Sequence, residues 1–243
     1  MALYEFFPNY IWNLSVAIAL ENGGKIGEIV DMCQPILDAA ANGDDAGTGE
    51  FLVEWVKKAD TLVELANEDL AAGREYSAGN KLKRASIYYV TAERMQGQGH
   101  PGRMETYEKA LAAFADGTNY VQDNIERVEI PYGEGKKLSG LLTLAEGEGP
   151  RPLVVFCNGL DSCKEMLWLG GFPYALAKRG ISCLCVDQPG TGEALRLEEL
   201  PATYASEEWA SAWVDWLVEQ AFVDPQRIGM TGISLGGHCL LYT

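Results

Sequence analysis

The chain has 243 residues, 47% hydrophobic and 22% charged, which describes an ordinary soluble globular protein with room for one good core or two smaller ones. Its net charge of −16 is spread evenly, with 20 acids against 11 bases in residues 1–127 and 15 against 8 in the rest. No basic patch emerges to hold nucleic acid or an anionic membrane surface, and both are excluded as expected partners.

Six cysteines, at 33, 157, 163, 183, 185 and 239, form no Cys-x-x-Cys pair. Cys157, Cys183, Cys185 and Cys239 fall in apolar runs, where free cysteine is a small hydrophobe, so the usage fits a reducing cytoplasm better than a disulfide scaffold. The apolar run 11–20 has no basic residue before Lys25 and is too short to span a bilayer. Neither a signal peptide nor a transmembrane segment is expected.

Residues 1–125 read as an all-helical domain. Ile26, Ile29, Val30, Cys33, Ile36 and Leu37 recur at helical spacing, and the Asn/Gly/Asp-rich residues 42–49 read as a loop. A second helix carries Leu52, Trp55, Val56, Ala59, Leu62, Val63, Ala66 and Leu70 on one face. Ser77 is the expected N-cap of a third, with Leu82, Ala85, Tyr89 and Ala92. Residues 97–102, including Pro101, break the pattern, and Met104, Tyr107, Leu111 and Phe114 mark a fourth helix ending near Gly117.

The period changes at Arg127, opening a second domain over 126–243. Residues 127–132 and 138–144 bracket Gly133-Glu-Gly-Lys-Lys137 and read as a β-hairpin. A buried strand over 152–157 precedes a helix over 172–179, with Pro173 in its first turn and Gly180 as its stop. Another buried strand covers 181–186. Ser206 is the expected cap of a helix with Glu207 and Glu208 in its first turn and Trp209, Trp213, Trp216 and Leu217 toward the core. Asp224-Pro225 turns into a last strand. Continuous apolar strands separated by helices predict an α/β fold, with a parallel sheet covered on both faces.

That last strand leads into Gly232-Ile-Ser-Leu-Gly-Gly-His238. Strand, Gly-x-Ser-x-Gly and helix are the context of a nucleophile elbow, in which a strained serine is exposed beyond the sheet and the residues two before and two after it must be small. Gly232 and Gly236 meet that requirement, and Ser234 is the candidate nucleophile. The bland alternative is a glycine-rich turn whose serine merely caps the helix. An oxyanion would need two backbone donors: Leu235, directly after the serine, and Leu160, in the loop Asn158-Gly-Leu-Asp-Ser162 after the first parallel strand. Asp187, opening the loop Asp187-Gln-Pro-Gly-Thr-Gly-Glu193, reads as a residue that orders this loop, because a triad acid normally follows the serine. His100, in a Gly/Pro loop, reads as a surface residue. His238, one turn along the elbow helix, would point along that helix and reads as packing or support. Neither makes a triad base.

These three loops, with the tyrosine-bearing helix 85–93, resemble the α/β-hydrolase superfamily. The chain is similar to its branch with an all-helical N-terminal lid, which includes the 2,6-dihydroxypseudooxynicotine hydrolases, the FrsA-like esterases and the fungal polyketide-shortening hydrolases. The resemblance implies a serine hydrolase acting on an ester, or on a carbon–carbon bond next to a ketone, in a small molecule, without cofactor or metal. It implies that the helical domain covers the strand ends, where Tyr88, Tyr89 and Tyr107 are either pocket walls or core. It also implies further strand–helix units bearing Asp and His, on the order of a hundred residues at ~30 per unit. The expectation is therefore a chain cut short after the elbow and nearly inactive alone, with self-association into a homodimer allowed. Two other readings stand beside it: a short form acting as a binding module, and a peptidase of the prolyl-oligopeptidase type.

Overall fold

The computed structural model describes residues 6–7, 9–42 and 48–240, and these divide into two compact units, Met1–Asp123 and Asn124–Thr243. The central residues of the loop expected over 42–49 lie outside the described residues.

The first unit is helical: α1 (Tyr10–Glu21), α2 (Ile26–Asn42), α3 (Thr48–Ala71), α4 (Glu75–Arg94) and α5 (Arg103–Val121). The stripe on α3 is buried as its spacing requires, through Phe51, Trp55, Ala59, Leu62 and Ala66. On α2 the buried face is Ile29, Met32, Cys33 and Ile36, while Ile26 and Val30 face solvent. Trp55 stacks on Phe51 and meets Tyr88 edge-on, joining α3 to α4 through an aromatic layer. Helix α4 packs against α1, α3 and α5, which explains why it is buried on all sides from Ala85 to Glu93.

Two expected helix boundaries are corrected. Ser77 does not cap α4, which begins at Glu75 with Arg74 before it; the Ser77 hydroxyl instead donates to Asp69 Oδ2 at 2.6 Å, in an ion-pair cluster with Arg74 and Lys81. Gly117 does not stop α5, which continues to Val121 and ends on Gln122 in the left-handed region. A Cβ at Gly117 would lie 2.9 Å from the Lys83 backbone nitrogen, and one at Gly79 would lie 2.7 Å from Gly117 O. These glycines are spent on close approach of α4 and α5, not on breaking a helix.

The second unit holds a five-stranded sheet in the order β1-β2-β4-β3-β5. Strands β1 (Glu126–Tyr132) and β2 (Lys136–Thr143) form the hairpin, and β2 pairs antiparallel with β4 (Ser182–Val186). Strands β3 (Arg151–Cys157), β4 and β5 (Val223–Gly232) run parallel. The sheet is thus mixed, its parallel core extended by the hairpin. The connection from β3 to β4 carries α6 (Lys164–Leu169) and α7 (Phe172–Ala177). That from β4 to β5 carries α8 (Gly192–Arg196) and α9 (Ser206–Val218), and α10 (Leu235–Cys239) follows β5.

Because β4 and β5 flank β3 on opposite sides, the two crossovers run in opposite directions, and their common handedness puts their helices on opposite faces. The side chains agree. Leu153, Val155 and Cys157 of β3 pack with Trp209, Trp213 and Leu217 of α9, whereas Phe156 meets Phe172 of α7 edge-on. Trp216 is partly buried against the α9 face. Ser206 is not the expected cap: it is the first residue of α9, and its hydroxyl donates to the Cys239 carbonyl at 3.0 Å, tying α9 to the end of α10. Asp224-Pro225 lies within β5 at a register break, where Asp224 accepts from Gln226 N and Arg227 Nε.

Candidate active site

In an open α/β sheet, ligands bind outside the carboxyl ends of the strands, where the chain direction switches. Here that point lies around β3. Cys157 is in register with Val186 of β4 and with Gly232 of β5, so the loops opening at Asn158, Asp187 and Ile233 leave the sheet at one level.

The elbow follows from the sequence at each step. Ile233 N donates to Cys157 O at 3.2 Å, extending the β5 ladder by one bond, and Ser234 then turns at φ 52° and ψ −114°, a conformation rare for any residue with a side chain. Helix α10 begins at the next residue. A Cβ on Gly236 would lie 2.6 Å from Asn158 O and 2.7 Å from Cys157 O, and one on Gly232 would run into the Gly236 backbone. Only glycine fits at either position. Ser234 is exposed, and although it occupies the cap position of α10 it makes no side-chain capping bond. The plain helix-cap reading of this serine does not hold.

Gly159 backs directly onto the elbow: a Cβ there would sit 3.4 Å from Ser234 Cβ and 3.3 Å from Ile233 O. Leu160 is the next residue, with its side chain in solvent, and Asp161 follows at φ 59°. The structure therefore brings Gly232, Ser234, Leu235 and Gly236 together in one turn and sets the Asn158–Ser162 loop against it. His238 lies on the same turn, its N–H donating to Ser234 O at 3.0 Å. Its side chain is exposed, not packed as expected, and it lines a cleft of about 680 Å³ with Pro189, Tyr204, Trp209 and Leu235. His100 belongs to the helical unit, half-buried, with Nδ1 lacking a hydrogen-bond partner.

Beneath these loops lies a buried ionic cluster that sequence reasoning assigned no role beyond Asp187. Asp187 Oδ1 accepts from Asn158 Nδ2 at 2.7 Å and Lys164 N at 2.8 Å; Oδ2 accepts from Lys164 Nζ at 3.0 Å and Glu193 N at 2.9 Å. Asp187 orders its loop, as the sequence suggests, and the loop after β3 as well. Lys164, fully buried, also pairs with Glu165 at 2.8 Å and with Glu193, which Arg127 holds from the other side at 2.6 Å and 2.7 Å. Burial works against the Lys164 ammonium, yet Asp187, Glu165 and Glu193 outweigh it and raise its pKa. Burial likewise opposes ionised Glu193, but Arg127 and Lys164 prevail and bring its carboxyl down to about 2. For Glu165 burial wins, and its pKa is raised. A lysine reads as surface in a sequence; only the polar pair Lys164-Glu165 at the start of a short apolar helix gave a signal.

All six cysteines are free. Burial pushes the Cys33 and Cys157 thiols up to about 12, so they are inert core residues. Among the described residues, no helix is long and apolar enough to cross a membrane.

Comparison with known proteins agrees with this geometry. Residues 44–242 match the family described as esterase FrsA-like. The α/β hydrolase gkaG of Penicillium citrinum is 27% identical over 99% of this chain and 58% of its own length. Esterase FrsA of Vibrio cholerae is 28% identical over 79% of this chain and 44% of its own. The 2,6-dihydropseudooxynicotine hydrolase of Paenarthrobacter nicotinovorans is 25% identical over 88% of this chain and 58% of its own. The chain thus spans roughly half the length of the curated relatives it matches. A crystal structure of 2,6-dihydroxy-pseudo-oxynicotine hydrolase shares the fold, with a TM-score of 0.72 over 93% of this chain and 59% of that one at 23% identity. The match over residues 44–242, on a sheet whose three strand-end loops meet at a Gly-x-Ser-x-Gly turn, makes this chain a member of the FrsA-like esterase family of α/β hydrolases.

Proposed function

We propose that the chain carries the nucleophile and oxyanion pocket of a serine hydrolase acting on an ester, or on a carbon–carbon bond next to a ketone, in a small molecule. The observation that carries this reading is Ser234: exposed, turned at φ 52° between β5 and α10, and not engaged in capping. In this reading Ser234 Oγ attacks the substrate carbonyl and its proton passes to a base. The tetrahedral oxyanion is met by the Leu235 and Leu160 amides. The base is assigned to neither His100, half-buried in the loop between α4 and α5, nor His238, which sits on the elbow helix itself. A serine hydroxyl is a weak nucleophile without one.

Tyr88 and Tyr89 are buried, and their hydroxyls are bonded to Glu28 and Asp60, which supports core roles for both. Six free cysteines support a reducing compartment. The test of the reading as a whole is Ser234→Ala in the natural polypeptide, assayed on a p-nitrophenyl ester. Turnover should fall to background with the melting temperature unchanged, and retained turnover refutes the assignment.

A further inference from the structure

Strand β3 stops pairing with β4 at Cys157, but its backbone does not become free there. Asn158 is fully buried, and the side chain of Gln188 brackets it: Asn158 N donates to Gln188 Oε1 at 3.0 Å, and Gln188 Nε2 donates to Asn158 O at 2.7 Å. A side-chain amide with one acceptor and one donor thus takes the place of a neighbouring strand's peptide group and carries the ladder one residue beyond the sheet. Gln188 is itself buried, and its backbone carbonyl accepts from Thr191 N and Thr191 Oγ1 at 3.0 and 2.9 Å. The Asn158 side chain is fixed as well, donating to Val186 O at 2.8 Å and to Asp187 Oδ1 at 2.7 Å. On the other side of Asn158 stands the elbow, with Gly236 against its carbonyl oxygen and Ser234 against the next residue, Gly159.

We propose that Gln188 is a positioning residue for the oxyanion pocket: by clamping both backbone groups of Asn158 between the loop after β4 and the elbow, it sets the Gly159–Leu160 amides relative to Ser234. The inference rests on the reading of Ser234 as nucleophile. The loop is tied at its far end as well, where Gly192 N donates to Ser162 O at 3.1 Å, and Gln188 fixes its near end. Leu160 is exposed, and the Ser162 N to Gly159 O bond is long at 3.4 Å. Hydrogen bonds to a developing oxyanion act only when their donors are in place before the charge appears, so a clamp one residue upstream acts on the transition state and not on substrate binding.

The test uses the natural polypeptide and the variants Gln188→Met, which removes both bonds, and Gln188→Glu, which keeps the acceptor but turns a carboxylate oxygen toward Asn158 O. Removing an oxyanion donor costs about 10²–10³ in kcat, and displacing one should cost at least about tenfold. The expected result is a kcat reduced about tenfold or more on a p-nitrophenyl ester with KM unchanged, and affinity for an arylboronic acid, a mimic of the tetrahedral intermediate, falling by the same factor. A merely structural role would lower the melting temperature and leave the kcat of the folded fraction intact; that outcome overturns the proposal, as does a loss confined to KM. In the unaltered protein, the Asn158 amide should resist hydrogen exchange as well as the β3 amides do, and rapid exchange there overturns the proposal even if no variant folds. Turnover that survives Ser234→Ala overturns the nucleophile reading and this inference together. Turnover lost in Ser234→Ala but kept in Gln188→Met overturns this inference alone.

Discussion

At Ser234 the backbone holds a conformation that costs about 1–3 kcal/mol for a residue with a side chain, and the neighbouring contacts keep it from relaxing. Gly236 is the clearest of these. Gly236→Ala brings a methyl group within 2.6 Å of Asn158 O, and neither backbone can give way cheaply. Destabilisation by about 1–3 kcal/mol is expected from this overpacking, together with loss of labelling by a covalent serine probe; a denaturant melt and the probe check both. The ionic cluster beneath makes a prediction in pH. The Glu193 carboxyl falls from an ordinary 4.5 to about 2 on folding, which at 1.36 kcal/mol per unit stabilises the fold by about 3 kcal/mol. A depressed acid contributes fully above its unfolded value and loses its contribution as pH falls through its folded one. Glu193→Gln should therefore cost most near neutral pH, and its gap from the parent should close between about pH 5 and pH 2 in a series of melts. A gap that widens on acidification contradicts this assignment. Of these two features the elbow was legible in the sequence, because its glycine spacing is dictated by local sterics. The cluster was not, since Lys164, Glu165 and Glu193 are far apart in the chain from Arg127 and meet only once the sheet is built.

Among the elements, the one-sided stripe of α3 and the continuous apolar run of β3 were readable, because burial of one face leaves a periodicity and burial of both leaves an unbroken run. The misread features share one cause: a residue type with a local meaning was used for a tertiary contact. Ser77 and Ser206 looked like caps and instead bond Asp69 and the Cys239 carbonyl. Gly117 looked like a stop and is a packing surface between α5 and α4. That reading is testable, because helix propensity and packing predict opposite signs. Propensity alone makes Gly117→Ala stabilising by about 1 kcal/mol. The added Cβ, 2.9 Å from Lys83 N and 3.0 Å from Gly79 O, should reverse this to a loss of about 1–3 kcal/mol by denaturant melt. On the opposite side of the argument, Trp213 was read as core and is fully buried against the sheet, so Trp213→Ala should cost about 3–5 kcal/mol.

For the whole molecule, the change of period at Arg127 signalled two architectures in one chain, and the strand-end rule then points to the candidate site around Ser234. The sheet order was not legible. Hydrophobic pattern gives strands but not neighbours, and the placement of β4 and β5 on either side of β3 is what brings three loops to one point. With the base assigned to neither histidine, His100→Ala and His238→Ala should each leave Ser234-dependent hydrolysis of a p-nitrophenyl ester intact, and loss of turnover in either variant would make that histidine the base. The most direct measurement of the central claim is covalent labelling of the natural polypeptide with a fluorophosphonate, followed by mass spectrometry of its peptides. The account predicts one adduct, on the peptide containing Ser234, forming in step with loss of hydrolysis and absent from Ser234→Ala. Hydrolysis that is lost without an adduct at Ser234, or that persists with Ser234 fully labelled, would contradict it.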